Sequence, residues 1–119
     1  MKKISVIGMP MDLGQLRRGV DMGPSAIRYA GVIERLENRG FDVTDLGDIP
    51  IGRDKLETDT ETGVRNLEAV VKASEQLMNK IEEVKAEGSF PLILGGDHSI
   101  AIGTLAGVAK HHNKLGVIW

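Results

Sequence analysis

The stretch Phe90-Pro91-Leu92-Ile93-Leu94-Gly95-Gly96-Asp97-His98-Ser99-Ile100 decides the fold. Phe90 to Leu94 is short, apolar and entered through a proline, which predicts a buried strand. Two glycines then let the chain bend sharply. Ser99 is a good N-cap for a helix over Ile100–His112, where Ile100, Ile102, Leu105, Ala106, Val108 and Ala109 are apolar nearly all round. All-round apolarity predicts a helix buried on several sides.

The same alternation extends outward on both sides. Ile4 to Gly8 reads as a first buried strand, followed by a patternless loop over Met9–Gly23 that carries Asp12, Arg17, Arg18 and Asp21. A helix is expected from Pro24 and Ser25, with Ala26, Tyr29, Ile33 and Leu36 at helical spacing and Gly40 as its C-terminal cap. Phe41 to Leu46 is expected to form a second strand, broken by Gly47-Asp48-Ile49-Pro50. Ile51 to Thr62 is polar, with Thr58-Asp59-Thr60-Glu61-Thr62 in a row, and reads as an exposed loop. Val64, Leu67, Val70, Val71, Leu77, Met78, Ile81 and Val84 then form one apolar stripe opposite Glu68, Lys72, Glu75, Glu82 and Glu83, and Gly88 closes that helix. At the far end, Leu115 to Trp119 reads as a fourth strand just beginning.

The order β-α-β-α-β-α-β predicts an α/β fold: an open, mostly parallel sheet with helices on both faces and right-handed crossovers. There is no internal repeat. Chains of 119 residues are about one domain long. Domains rarely end on a bare apolar strand, so residues 1–119 are expected to be the N-terminal fragment of a single domain, truncated at that fourth strand.

Composition excludes several function classes. Fifteen Lys plus Arg against seventeen Asp plus Glu leave no basic excess for nucleic acid and no acidic tail. The absence of cysteine rules out disulfides and thiolate metal sites. Gly8, Pro10 and Asp12 cut short the apolar run that begins at Ile4, so the start lacks the pattern of a signal peptide. No run approaches the ~18 apolar residues of a membrane span. A cytoplasmic protein with no nucleic-acid and no membrane partner is the expectation.

Chemistry points to the Gly95–Ser99 turn. In open parallel sheets, ligands bind at the carboxyl ends of strands where strand order reverses. If the first and third strands flank that reversal, the Met9–Gly23 loop and the Gly95–Ser99 turn meet there. His98 is then a metal ligand, a general base or a structural histidine; imidazole suits several transition metals, and mixed histidine and carboxylate sites suit manganese among others. Asp97 has two readings, capping helix amides or orienting an imidazole. Asp12/Arg17 and Arg18/Asp21 read as salt bridges holding the first loop in preference to substrate contacts. His111 and His112, near a helix C-terminus, read as surface residues. No phosphate-binding glycine loop and no nucleophile elbow is present.

Several segments together resemble a known family. Met11-Asp12-Leu13-Gly14-Gln15 and Arg17-Arg18-Gly19-Val20-Asp21-Met22-Gly23-Pro24-Ser25-Ala26-Ile27-Arg28 resemble the N-terminal signature of bacterial arginases. Leu46-Gly47-Asp48-Ile49-Pro50 is similar to the segment after their second strand. Leu94-Gly95-Gly96-Asp97-His98-Ser99-Ile100, continued by Gly103-Thr104-Leu105 through His111, resembles the first metal motif of the ureohydrolases as a whole. The resemblance implies hydrolysis of L-arginine to L-ornithine and urea at a centre of two manganese ions (Mn2+), with His98 as one metal ligand. It also implies a homo-oligomer, trimer or hexamer. Agmatinase or another ureohydrolase is the alternative enzyme, and a non-catalytic interaction module the alternative class. The family's next motif, Asp-Ala-His-x-Asp, and its later Asp-x-Asp pair are absent from these residues. On this reading no catalytic residue lies in the chain, which by itself is expected to be inactive, to bind manganese weakly or not at all, and to self-associate, swap elements or aggregate.

Overall fold

The computed structural model describes residues 2–53, 57, 58 and 60–119. Three strands form one parallel sheet in the order β2-β1-β3, with β1 at Lys3–Met9, β2 at Asp42–Asp48 and β3 at Phe90–Gly95. The predicted fold class holds. The central strand is buried from Ile4 to Met9, as a strand covered on both faces must be. Its side chains alternate between two cores. Ile4 and Val6 join Leu94 and meet Val32, Ile33 and Leu36, whereas Ile7 and Met9 join Met11, Leu13 and Ile49 and meet Ala73, Leu77, Ile81 and Val84. Between them Ser5 reaches the buried Ser89, hydroxyl to hydroxyl at 2.8 Å.

The helix expected over 24–40 is two short ones, α1 at Gly23–Tyr29 and α2 at Val32–Glu37. Gly31 separates them at φ +85°, a left-handed conformation that turns α2 away from the axis of α1. Ile33 and Leu36 therefore pack as predicted, but Tyr29, read as part of the same stripe, is 93% exposed. Strand β2 runs two residues past its predicted end, through a bulge where β1 advances from Val6 to Gly8 while β2 advances from Asp45 to Asp48.

The long helix α3, Leu67–Ala86, buries Ala73, Ser74, Leu77, Ile81 and Val84. Val64, assigned to its stripe, lies before the helix and is exposed. Helix α4, Ile100–Ala109, lies against α3 through Gly103 and Gly107. A Cβ at Gly103 would stand 2.5 Å from the Ser74 carbonyl oxygen, and one at Gly107 would stand 2.9 Å from the Ile81 Cβ, so the two helices approach as closely as backbones allow. Burial on several sides does not follow: Gly103 and Gly107 are the buried residues of α4, and Ile102 faces outward. Leu115 to Trp119 is exposed and carries no strand, since no neighbour among the described residues pairs with it. Within the polar Ile51–Thr62 loop, positions 54–56 and 59 lie outside the described residues, as does Met1; Thr58 bridges Arg65. No helix among the described residues is long and apolar enough to cross a membrane.

Candidate functional site

The chain leaves β1 to build β2 on one side and then returns to build β3 on the other, so strand order reverses between β1 and β3. Their last paired residues are Met9 and Gly95, and the loop and turn beyond them meet as the topology predicted. The Asp97 amide donates to the Met11 carbonyl at 2.7 Å. Asp97 Oδ2 accepts from the Gly14 amide at 2.7 Å, and Oδ1 accepts from the Ser99 amide at 3.0 Å and from the Ser99 hydroxyl. Asp97 thus holds the amides of the loop residue Gly14 and of the N-cap residue Ser99 in place of amides within α4, and its carboxylate makes no hydrogen bond to the His98 ring. Ser99 occupies the N-cap position of α4, but its hydroxyl serves Asp97 and not the helix. Gly96 is required where it stands: at φ +102°, a Cβ would lie 2.6 Å from the Met9 carbonyl oxygen and 2.7 Å from that of Met11.

His98 projects from this junction and is exposed. Its ring meets that of Trp119 edge to face, with centroids 4.3 Å apart and planes at 87°. His111 and His112 are exposed beyond the other end of α4, as expected, about 15 Å of helix away.

The first loop is held by ion pairs, as expected, though not all of them as read. Asp12 is buried and accepts from Arg18 Nε at 3.2 Å on one oxygen and from Arg53 on the other. Arg18 also faces Asp21 at 3.8 Å. The expected Asp12/Arg17 pair does not form; Arg18 and Arg53 occupy both oxygens of Asp12. Burial alone would push the Asp12 carboxyl up, but the hydrogen bonds and charges of Arg53 and Arg18 outweigh it and hold the group below the ordinary 3.8. Sequence reasoning missed Arg53, which arrives from 41 residues away out of a loop with no period. It also missed Asn66, whose side-chain amide donates to the Leu13 carbonyl at 3.1 Å from the start of α3. Its only local signal is its place just before that helix.

A two-metal centre needs several charged ligands to offset the ions. Among the described residues no group of three or more His, Asp or Glu gathers, and the Asp97 carboxylate beside His98 is already hydrogen-bonded to Gly14 and Ser99. One exposed imidazole does not fit two manganese ions, so the described residues do not assemble such a centre among themselves.

The sequence profile described as "Arginase family" matches residues 2–119. The chain belongs to the arginase family. It is 65% identical over 120 residues to the arginase of Bacillus caldovelox, covering all of this chain and 40% of that one. It is also 65% identical over 118 residues to the arginase of Bacillus subtilis (strain 168), covering 99% of this chain and 39% of that one. The native structure of the B. caldovelox arginase superposes on it with a TM-score of 0.92 at 65% identity, over 100% of this chain and 40% of the other. The chain thus spans about 40% of the length of the curated relatives it matches. In this arginase-family chain the Gly95–Ser99 turn carries the exposed histidine, and the loop bearing Asp12 and Gly14 braces it.

Proposed function

We propose that this chain serves as part of a cytoplasmic, homo-oligomeric arginase that hydrolyses L-arginine to L-ornithine and urea at a centre of two manganese ions, with His98 as one ligand. The observation that carries the reading is 65% identity over the whole chain to proteins named arginase, combined with an exposed imidazole at the strand-order reversal. The relatives' names favour arginase over agmatinase. When bound, the metal pair would activate water and polarise the guanidinium group. The residues described here do something separate: the Gly95–Ser99 turn and the Met11–Gly14 loop present His98 at the mouth of the sheet. The remaining ligands are proposed to come from polypeptide outside residues 1–119.

Two measurements test this. The 119-residue chain with manganese and L-arginine is expected to release no urea; turnover near that of a complete arginase would overturn the assignment of the other ligands. The same 119 residues, replacing the matching stretch of the B. caldovelox arginase, are expected to restore a manganese-loaded enzyme. His98→Ala in that chimera should lose bound manganese and at least about a hundredfold in activity. An inactive, metal-free chimera would favour the non-catalytic module, and preference for agmatine over L-arginine would favour agmatinase.

A further inference from the structure

We propose that Asp97 is the positioning residue of the His98 site: a buried carboxylate that sets where the neighbouring imidazole points without touching it. The inference rests on the reading of His98 as a ligand for its functional meaning, though not for its geometry. Asp97 is 8% exposed and has no salt bridge among the described residues. Burying a carboxylate is costly unless its oxygens accept hydrogen bonds, and here each oxygen is spent on fixing backbone. One holds Gly14 across the strand-order reversal, and the other holds both the amide and the hydroxyl of Ser99.

The residue before His98 is therefore tied through its main chain to Met11 and through its side chain to Gly14, and the residue after it is tied to the same carboxylate. Upstream, Gly96 is wedged against the carbonyls of Met9 and Met11. His98 sits between restrained neighbours, so the direction of its Cα–Cβ bond is set while the imidazole stays exposed. A carboxylate is the side chain this needs, because it accepts on both oxygens. Asparagine would accept on one side and turn an N–H₂ toward an N–H donor on the other.

The test uses Asp97→Asn, Asp97→Ala and Ser99→Ala in the 119-residue chain, without metal. Two-dimensional NMR of the three histidine rings is read together with amide exchange at Gly14. The His98 signals carry the ring-current displacement of Trp119, and those of His111 and His112 serve as internal references. Asp97→Ala should abolish the displacement and Asp97→Asn should remove about half of it or more, with Gly14 exchange about tenfold faster in both. Ser99→Ala, which keeps the Gly14 bond, should move the His98 signals in the same direction by less, with Gly14 exchange near native. References that stay put while His98 moves mark positioning, as against general loosening. His98 signals at their native place in a folded Asp97→Ala chain overturn the inference, whatever Gly14 does. Should neither Asp97 variant fold, native His98 signals in Ser99→Ala overturn it. Because no metal is present, these signals respond even if His98→Ala proves harmless to manganese loading, so the two ideas fail separately.

Discussion

On the β2 flank the outermost strand exposes Asp42, Asp45 and Asp48, and Arg28 from α1 clasps two of them. Its Nε and Nη2 meet the two Asp45 oxygens at 2.8 and 2.9 Å, and Nη1 meets Asp48 at 2.5 Å, across the face of β1 at Gly8. On the β3 flank the outermost strand is Phe90-Pro91-Leu92-Ile93-Leu94-Gly95, without a charge, and Phe90 is exposed. The helix after it packs hard against α3 on its inner side and shows Ile102 on its outer side, 58% exposed. The first flank is finished as protein edges usually are, with charge that discourages further pairing. The second is tight inside and apolar outside, the surface of an element with more to bury.

The largest effect is expected where the second flank is tightest. Gly103→Val places a branched side chain where even a Cβ would stand 2.5 Å from the Ser74 carbonyl, a backbone atom that cannot swing aside. Overpacking of this kind should cost about 3 kcal/mol, measured by urea unfolding. Gly52→Ala has open space around its Cβ and an unexceptional φ, and should be nearly neutral. Similar costs at both positions would mean that α4 does not sit on α3 as closely as described.

The first flank should yield a smaller, pH-dependent loss. Arg28→Ala removes a forked contact whose side chains are 20% and 31% exposed at Arg28 and Asp45, and should cost about 1 kcal/mol. Lysine should recover less than half, since it lacks the fork. Burial pushes the Asp45 carboxyl up, but the Arg28 hydrogen bond, the Gly47 amide and the Arg28 charge outweigh it and leave the group below 3.8. A depressed native value means that the contribution is complete above the ordinary value and lost as pH falls through the native one. The stability gap between native protein and Arg28→Ala should therefore close on acidification below 3.8. A gap that persists there would assign the effect to packing of the arginine stem.

The difference between the flanks also marks what was legible beforehand. Strands and cores could be read wherever a short apolar run ended at a glycine, as at Ile4–Gly8 and Phe90–Leu94, because burial on both faces demands such runs. The break at Gly31 was not legible, since a single glycine inside a helical pattern is often tolerated. The fourth strand was read from β-forming side chains alone, and pairing needs a neighbour that Leu115–Trp119 does not find among the described residues. At the site, the meeting of loop and turn followed from topology, which is a property of element order. The partners of Asp12 and Asp97 did not follow: Arg53 and Gly14 reach them from 41 and 83 residues away, and only three-dimensional packing selects them.

The smallest energetic effect should carry the sharpest test of the comparison. Ile102→Lys replaces an outward apolar side chain, and its stability cost should stay within about 0.5 kcal/mol. Val64 and Val71, also exposed, lie with Ile102 around one groove at the start of α3 and α4. A charge placed there should shift sedimentation toward the monomer. Tyr29→Lys, at a side chain 93% exposed but outside that groove, should leave the distribution as it was. Scattered apolar residues are normal on surfaces, whereas contiguous ones drive association. If both lysines act alike, association is a matter of net charge and the β3 flank is no stickier than the rest. If only Ile102→Lys disperses the chain, the apolar outer side of α4 is the surface that seeks a partner.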